Sequence, residues 1–358
     1  MTLIIGVLYR GTVHIIADSV ETVPNSIKTG GHIDGKYYEP STSSLGNIID
    51  DVNGCKVIES SQKIYQVTNK FIVAFSGSTI KGREIIQDLE IRILSSPNDG
   101  IAKILKDYFE EAKPENNEFI FGVSDGVSIK MITFTKNKFT ISSTEGFMMI
   151  GNGVDQQNLR DPLIRALMDL SAKDLKSKDF LVSITAIFQC LILNSNSYVK
   201  GVGGFVNSAL LHSDGVYWLD DTIKLLYSSN NFKKGDESIH FQCTRDQITF
   251  IKSTFIQASI YMNSGFSFST NYIDWKDRWL DEVLELSSKL NAEYYLLISY
   301  DNLRVTIIEN STNLAKYLSV NIQRDDKVSN IYKPVYHPDL IDIITQDSTS
   351  KDIILNLL

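Results

Sequence analysis

The 358-residue sequence is poor in cysteine, with only Cys55, Cys190 and Cys243. Three scattered thiols cannot build a disulfide framework, and no pair has the C-x-x-C spacing of a structural zinc site. A reducing, cytoplasmic setting is therefore expected. An excess of positive charge is also lacking. With 35 basic against 43 acidic side chains and a formal charge of -8, the chain has no concentrated basic face for a phosphate backbone, and nucleic acid is not an expected partner. Long apolar runs are absent as well. The apolar start, Leu3 to Ile16, is interrupted by Arg10 and Gly11 and contains His14. No other run approaches the roughly 18 apolar residues of a membrane span, so neither a signal segment nor a membrane partner is expected. Gly151-Asn152-Gly153 lacks a G-x-G-x-x-G context, and no internal repeat or heptad run stands out. No metal, nucleotide or flavin cofactor is expected.

What is present is a globular composition, 43% apolar and 22% charged. The length suits two domains, or one large domain with an appendage. Thr2 to Leu8 and Thr12 to Asp18 are rich in Ile and Val and are separated by Tyr9-Arg10-Gly11, which predicts an N-terminal hairpin. Residues 24–61 carry Thr-Gly-Gly, Asp-Gly and Asp-Asp-Val-Asn-Gly, turn and loop chemistry that predicts a long exposed excursion. A second hairpin is predicted from Lys63 to Ser76, turning at Thr68-Asn69-Lys70.

Helical periodicity follows. Ile85, Ile86, Leu89 and Ile93 share one helix face, and Ile104, Leu105, Tyr108 and Phe109 repeat the pattern after Pro97 to Gly100. Strands are predicted at Glu118–Val123, Ile129–Phe134, Lys138–Ser142 and Met148–Ile150, then helices over Leu159–Leu170 and Phe180–Leu193, then strands at Ser208–Leu211 and Val216–Leu219. Strands and helices come in blocks, which predicts layered α+β packing with antiparallel sheets. Beyond residue 220 the chain reads as an α+β addition of unassigned fold. It has strand-rich stretches at Ile239–Lys252 and Tyr294–Glu309 and one helix around Trp279, Val283, Leu286 and Leu290. The expected domains are residues 1–220, with the insertion, and 221–358.

The order of short motifs in the first 80 residues carries the chemistry. Thr2-Leu-Ile-Ile-Gly6, Ile15-Ile16-Ala17-Asp18-Ser19, Gln62-Lys63-Ile64 and Ala74-Phe75-Ser76-Gly77-Ser78 occur in that sequence. They are followed by Phe121-Gly-Val-Ser-Asp-Gly126, Ile150-Gly-Asn-Gly153, Gly203-Gly204 and His212-Ser-Asp-Gly-Val216. This series resembles proteasome β-type N-terminal nucleophile hydrolases of the threonine type, over about residues 2–220. The resemblance implies a four-layer α-β-β-α sandwich, a peptide or amide substrate, no cofactor, and a homo-oligomer stacked in rings.

It also implies roles. A threonine hydroxyl needs a base, and a chain N-terminus supplies one, because its amine titrates at about 8. Thr2 would be the nucleophile once Met1 is removed, and no propeptide is expected. Lys63 would stand beside it as a positive charge that keeps the amine basic, Asp18 would pair with Lys63, and the Gly77 N–H would receive the oxyanion. Ser19, Ser76, Ser78 and Asn152 are the candidate substrate-binding residues. Thr2→Ala and Lys63→Ala are both expected to fold normally and lose hydrolysis. His14 reads as a packed or hydrogen-bonded strand residue.

The sequence departs from the family pattern at defined positions. Ser197-Tyr-Val-Lys-Gly-Val-Gly203-Gly204 lacks the aspartate and serine that usually precede the Gly-Gly pair; Ser195 or Ser197 could substitute, but Val202 cannot. Asn152 stands in the loop that usually carries serine, and Val20 where arginine is common. Two functions follow: a threonine amidohydrolase whose insertion overhangs the cleft, or a catalytically retired subunit that keeps the sandwich as an assembly or binding surface. Joint retention of Thr2, Asp18 and Lys63 favours the first; the altered supporting residues favour the second.

Overall fold

The computed structural model describes residues 2–24, 31–33, 36–38, 55–58, 63–96, 99–194, 201–204 and 206–219, and eight strands between residues 222 and 337. The helix expected around Trp279–Leu290 and the candidates Ser195 and Ser197 lie outside the described residues. The chain divides into two compact units. One takes in Met1–Thr29, Asn47–Leu219 and Ile322–Tyr332, the other Gly30–Gly46, Asp220–Asn321 and Lys333–Leu358.

The first part of the chain opens with β1 (Ile4–Tyr9) and β2 (Thr12–Ala17). Their hairpin turns through Arg10 and Gly11, at φ +49° and +69°, the positive-φ pair that matches a two-residue turn to the strand twist. The excursion after β2 contains more regular structure than its composition predicts. β3 (Glu21–Pro24) pairs antiparallel with β6 (Cys55–Ile58), and β4 (Gly31–Ile33) with β5 (Lys36–Tyr38). Turn-rich sequence and short hairpins are compatible, because turns are what hairpins need. Next come β7 (Ile64–Thr68), β8 (Phe71–Ser76), α1 (Thr79–Ser95), α2 (Ile101–Ala112), β9 (Glu118–Ser124), β10 (Ile129–Thr135), β11 (Lys138–Ser142) and β12 (Gly146–Ile150). A short 3-10 turn, Asn152–Asp155, leads into α3 (Gln157–Ser171), α4 (Ser177–Asn194), β13 (Asn207–His212) and β14 (Gly215–Trp218).

Two five-stranded sheets form, ordered β12-β1-β2-β13-β14 and β11-β10-β9-β8-β7, and every pairing within them is antiparallel. The architecture is α+β. Strand alternation sorts the side chains by face. Ile4, Leu8, Val13 and Ile15 of the first sheet share one core with Ile72, Ala74, Ile120 and Met131 of the second. On the opposite face of β9, Phe119 and Phe121 meet Phe109 of α2, with centroids 5.2 and 5.5 Å away. Truncating a buried ring such as Phe109 costs about 3–5 kcal/mol. Ile85, Ile86, Leu89 and Ile93 are the buried stripe of α1, and α4 lies against β2 and β13.

The remaining strands are β15 (Thr222–Tyr227), β16 (His240–Arg245), β17 (Ile248–Ser253), β18 (Ala258–Asn263), β19 (Tyr294–Ser299), β20 (Arg304–Glu309), β21 (Tyr317–Asp325) and β22 (Val328–His337). They form one eight-stranded sheet, ordered β18-β17-β16-β15-β19-β20-β21-β22. Its one parallel pairing among those described is β15 with β19. No described helix is long and apolar enough to cross a membrane.

Candidate active site

The register of β1 determines where Thr2 emerges. Ile4 pairs with Ala17 of β2 on one side and with Ile150 of β12 on the other. Thr2, two residues earlier, therefore lies between the segments that follow those strands, Asp18-Ser19 and Gly151-Asn152. Its carbonyl accepts from the Gly153 N–H at 3.0 Å, and the residue is half-buried.

Asp18 fixes this segment from the β2 side. Its Oδ1 accepts from the Leu3 N–H at 2.9 Å and from Lys63 Nζ at 2.7 Å. Its Oδ2 accepts from the Val20 and Gly203 N–H groups at 3.3 and 3.2 Å. The Asp18 side chain is 0% exposed and that of Lys63 5%. A carboxylate this deep is tolerable only because a cation and three amides surround it. One oxygen thus holds both Lys63 and the peptide group that follows Thr2. The sequence separation of 45 residues closes because β7 and β2 lie on facing sheets.

Gly77 stands at the other side of the site. Its φ is +113°, and a Cβ there would lie 2.1 Å from the Asn116 carbonyl oxygen, so only glycine fits. The Gly77 N–H meets no protein acceptor among the described residues. Directly after it, Ser78 caps the 17-residue helix α1, its Oγ accepting from Lys81 N–H at 3.3 Å. The positive end of that helix dipole is adjacent to Gly77, which suits a developing oxyanion. Gly151, at φ +91°, is restricted in the same way: a Cβ would come within 2.2 Å of the Thr2 carbonyl oxygen.

A cleft of about 1100 Å³ opens beside Gly77 and Gly151, lined by Ser76, Gly77, Ser78, residues 114–118, 135–137 and 148–152, Val154 and Asp155, with Thr2, Asp18 and Lys63 outside this lining. Of the sequence candidates, Gly77, Ser76, Ser78 and Asn152 line it. Ser76 is buried and faces Gly151, whereas Ser78 and Asn152 are exposed. Ser19 is buried outside this lining, with a hydroxyl that has no partner among the described residues. His14 lies on the face of β2 away from the shared core, its ring 5.0 Å from that of Phe180 on α4, with Nε2 bound to Thr12 Oγ1 at 2.8 Å. Burial pushes its pKa down from 6.5 to about 3. The description of a packed strand histidine fits.

Sequence reasoning passed over Asn117 and Glu118, which line the cleft between Gly77 and Gly151. A polar pair opening an apolar strand is ordinary, and only their partners, far along the chain, set them apart. No group of His, Cys, Asp and Glu among the described residues could hold a metal ion.

No protein-family model and no curated protein matches the chain. Among solved structures it is similar to the crystal structure of eukaryotic HslV from Trypanosoma brucei. The TM-score is 0.38 at 14% identity, over 59% of this chain and 99% of that one.

Proposed function

We propose that residues 1–220 are a threonine-type N-terminal nucleophile amidohydrolase, a proteasome-like peptidase with the four-layer α-β-β-α sandwich, and that residues 221–358 are an appended α+β region. The observation that carries this reading is the buried Asp18–Lys63 pair, which shares an oxygen with the Leu3 N–H and so anchors a cation to the segment that begins with Thr2. A buried ion pair is a poor source of net stability compared with apolar packing. A role in setting the charge around Thr2 gives the pair a use.

Once Met1 is removed, the free amine of Thr2 takes the proton of its own hydroxyl as the oxygen attacks an amide carbonyl. The carbonyl oxygen gains negative charge and receives the Gly77 N–H, supported by the end of α1. Collapse expels the amine, which leaves with the proton held by the Thr2 ammonium, and an ester remains on Oγ. Water, deprotonated by the same amine, then cleaves the ester. Lys63 contributes a fixed charge that disfavours the protonated amine. The substrate is a peptide or amide lying in the cleft, with Ser19, Ser76, Ser78 and Asn152 as its candidate contacts. The setting is cytoplasmic, and the functional form is a homo-oligomeric ring.

The test is the intact mass of the purified protein before and after a β-lactone that acylates N-terminal threonines. Loss of Met1 and one adduct, absent from Thr2→Ala, is the expected result. A protein that keeps Met1 and takes no adduct, when purified from its own cells as well, would replace this reading with that of a retired subunit serving as a binding protein.

A further inference from the structure

The proposed nucleophile and the proposed oxyanion donor lie on different sheets, Thr2 leading into β1 and Gly77 following β8. Catalysis by such a pair depends on the distance between them, so something must hold the two sheet edges in register at this point. Glu118, the first residue of β9, and Asn117 just before it do so. Alternation along β9 sends Glu118 to the same face as Ile120, toward the first sheet, and leaves Asn117 on the other. Glu118 Oε2 accepts from the Gly151 N–H at 2.9 Å, and Gly151 packs against the Thr2 carbonyl. Asn117 Nδ2 donates to the Ser78 carbonyl at 3.0 Å, and its Cγ lies 3.0 Å from where a Gly77 Cβ would be. Glu118 is also the register partner of Ser76, the residue before Gly77.

The geometry points to Asn117 and Glu118 as positioning residues: adjacent side chains reaching in opposite directions, one fixing the Gly77-Ser78 turn and the other the loop that cradles Thr2. The inference rests on the proposed hydrolase reading. Asn117 is buried, yet its Oδ1 has no partner among the described residues. That unmet acceptor is tolerated because the amide nitrogen is needed at the Ser78 carbonyl, which also accepts from the Gly82 N–H at 2.8 Å. Neither residue touches the reacting atoms. Their effect is on where Gly77 and Thr2 stand.

The experiment follows β-lactone acylation of the full chain by intact mass at increasing lactone concentration, which separates the limiting rate from half-saturation. In this reaction the Thr2 Oγ–C ester bond forms, the ring C–O bond breaks, and the hydroxyl proton passes through the amine to the opened ring oxygen. Glu118→Ala and Asn117→Ala are expected to lower the limiting rate by about 100-fold, the scale of a 1 Å misplacement, with half-saturation unchanged. Glu118→Gln keeps an acceptor oxygen and restores most of the rate. The double alanine variant is no slower than the worse single one, since the two act as one brace. Thermal unfolding of each variant controls for loss of the fold.

Alanine variants that fold and label at the wild-type rate would overturn the inference, as would Glu118→Gln as slow as Glu118→Ala. If the wild type itself does not label, the hydrolase reading fails, and hydrogen exchange decides the brace separately. Glu118→Ala must then speed exchange at Gly151 and in the segment around Gly77 together; a rise at Gly151 alone removes it.

Discussion

Lys63 Nζ lies 2.7 Å from Asp18 Oδ1 with both side chains withdrawn from water, and this pair belongs to the fold as much as to the proposed site. Removing one partner leaves the other buried and uncompensated, at a cost of about 3–5 kcal/mol. Asp18→Asn and Lys63→Met should each lose stability on that scale in urea unfolding. The double variant should recover part of the loss, because no lone charge remains. The sequence expectation that Lys63→Ala folds normally is thereby revised: its inactivity would mix chemistry with instability. Thr2→Ala removes a hydroxyl and a methyl group from a half-buried residue and strands no buried charge, so it remains the cleaner test.

Both N-terminal hairpins were legible because glycine or asparagine interrupts short apolar runs rich in Ile, Val and Phe; α1, α2 and α3 were legible because their stripes repeat at helical spacing, and α4 because its apolar stretch is too long for a strand. The parallel pairing of β15 with β19 was not, since no local turn announces a partner some 70 residues away and the six residues of β15, Thr-Ile-Lys-Leu-Leu-Tyr, carry too little pattern to stand out. The small β4–β5 hairpin was read as loop for a related reason: three-residue strands carry too little pattern. At the site, Asp18, Lys63 and Gly77 were reached through motif order rather than through anything in their spacing. Asn117 and Glu118 were not reached, because their partners are 39 and 33 residues distant.

His14 makes stability depend on pH. Its pKa is about 3 in the folded protein against 6.5 for the free side chain, so between those values the unfolded chain binds a proton that the folded chain refuses. Stability is full above pH 6.5 and falls as pH drops, by up to about 1.4 kcal/mol per unit, until about pH 3. Near pH 5 the loss is about 2 kcal/mol. His14→Leu should flatten that part of the curve in denaturant unfolding measured from pH 7 to pH 4. An unchanged slope would show that the ring is protonated in place.

The ring reading makes a separate demand on size. At micromolar concentration, sedimentation velocity should show a species several times the monomer mass, stable to dilution over a tenfold range. A strictly monomeric boundary would remove the closed chamber from the proposed function while leaving the chemistry of Thr2 untouched.

Gly77→Ala and Gly151→Ala are expected to fail for different reasons. Both glycines hold positive φ, +113° and +91°, and both would bring a Cβ within about 2 Å of a carbonyl oxygen, so each alanine costs at least 1–3 kcal/mol of backbone strain. At Gly77 the oxygen belongs to Asn116, and the strain turns the proposed oxyanion donor away from the cleft. At Gly151 it belongs to Thr2, so the strain displaces the proposed nucleophile itself. Acylation of Gly77→Ala should be slow at every pH, with the wild-type profile preserved, because the amine and hydroxyl of Thr2 are undisturbed. Acylation of Gly151→Ala should be slow with a shifted pH profile, because the amine moves relative to Lys63. Matching profiles in the two variants would mean that the Thr2 carbonyl is not the group against which Gly151 is held.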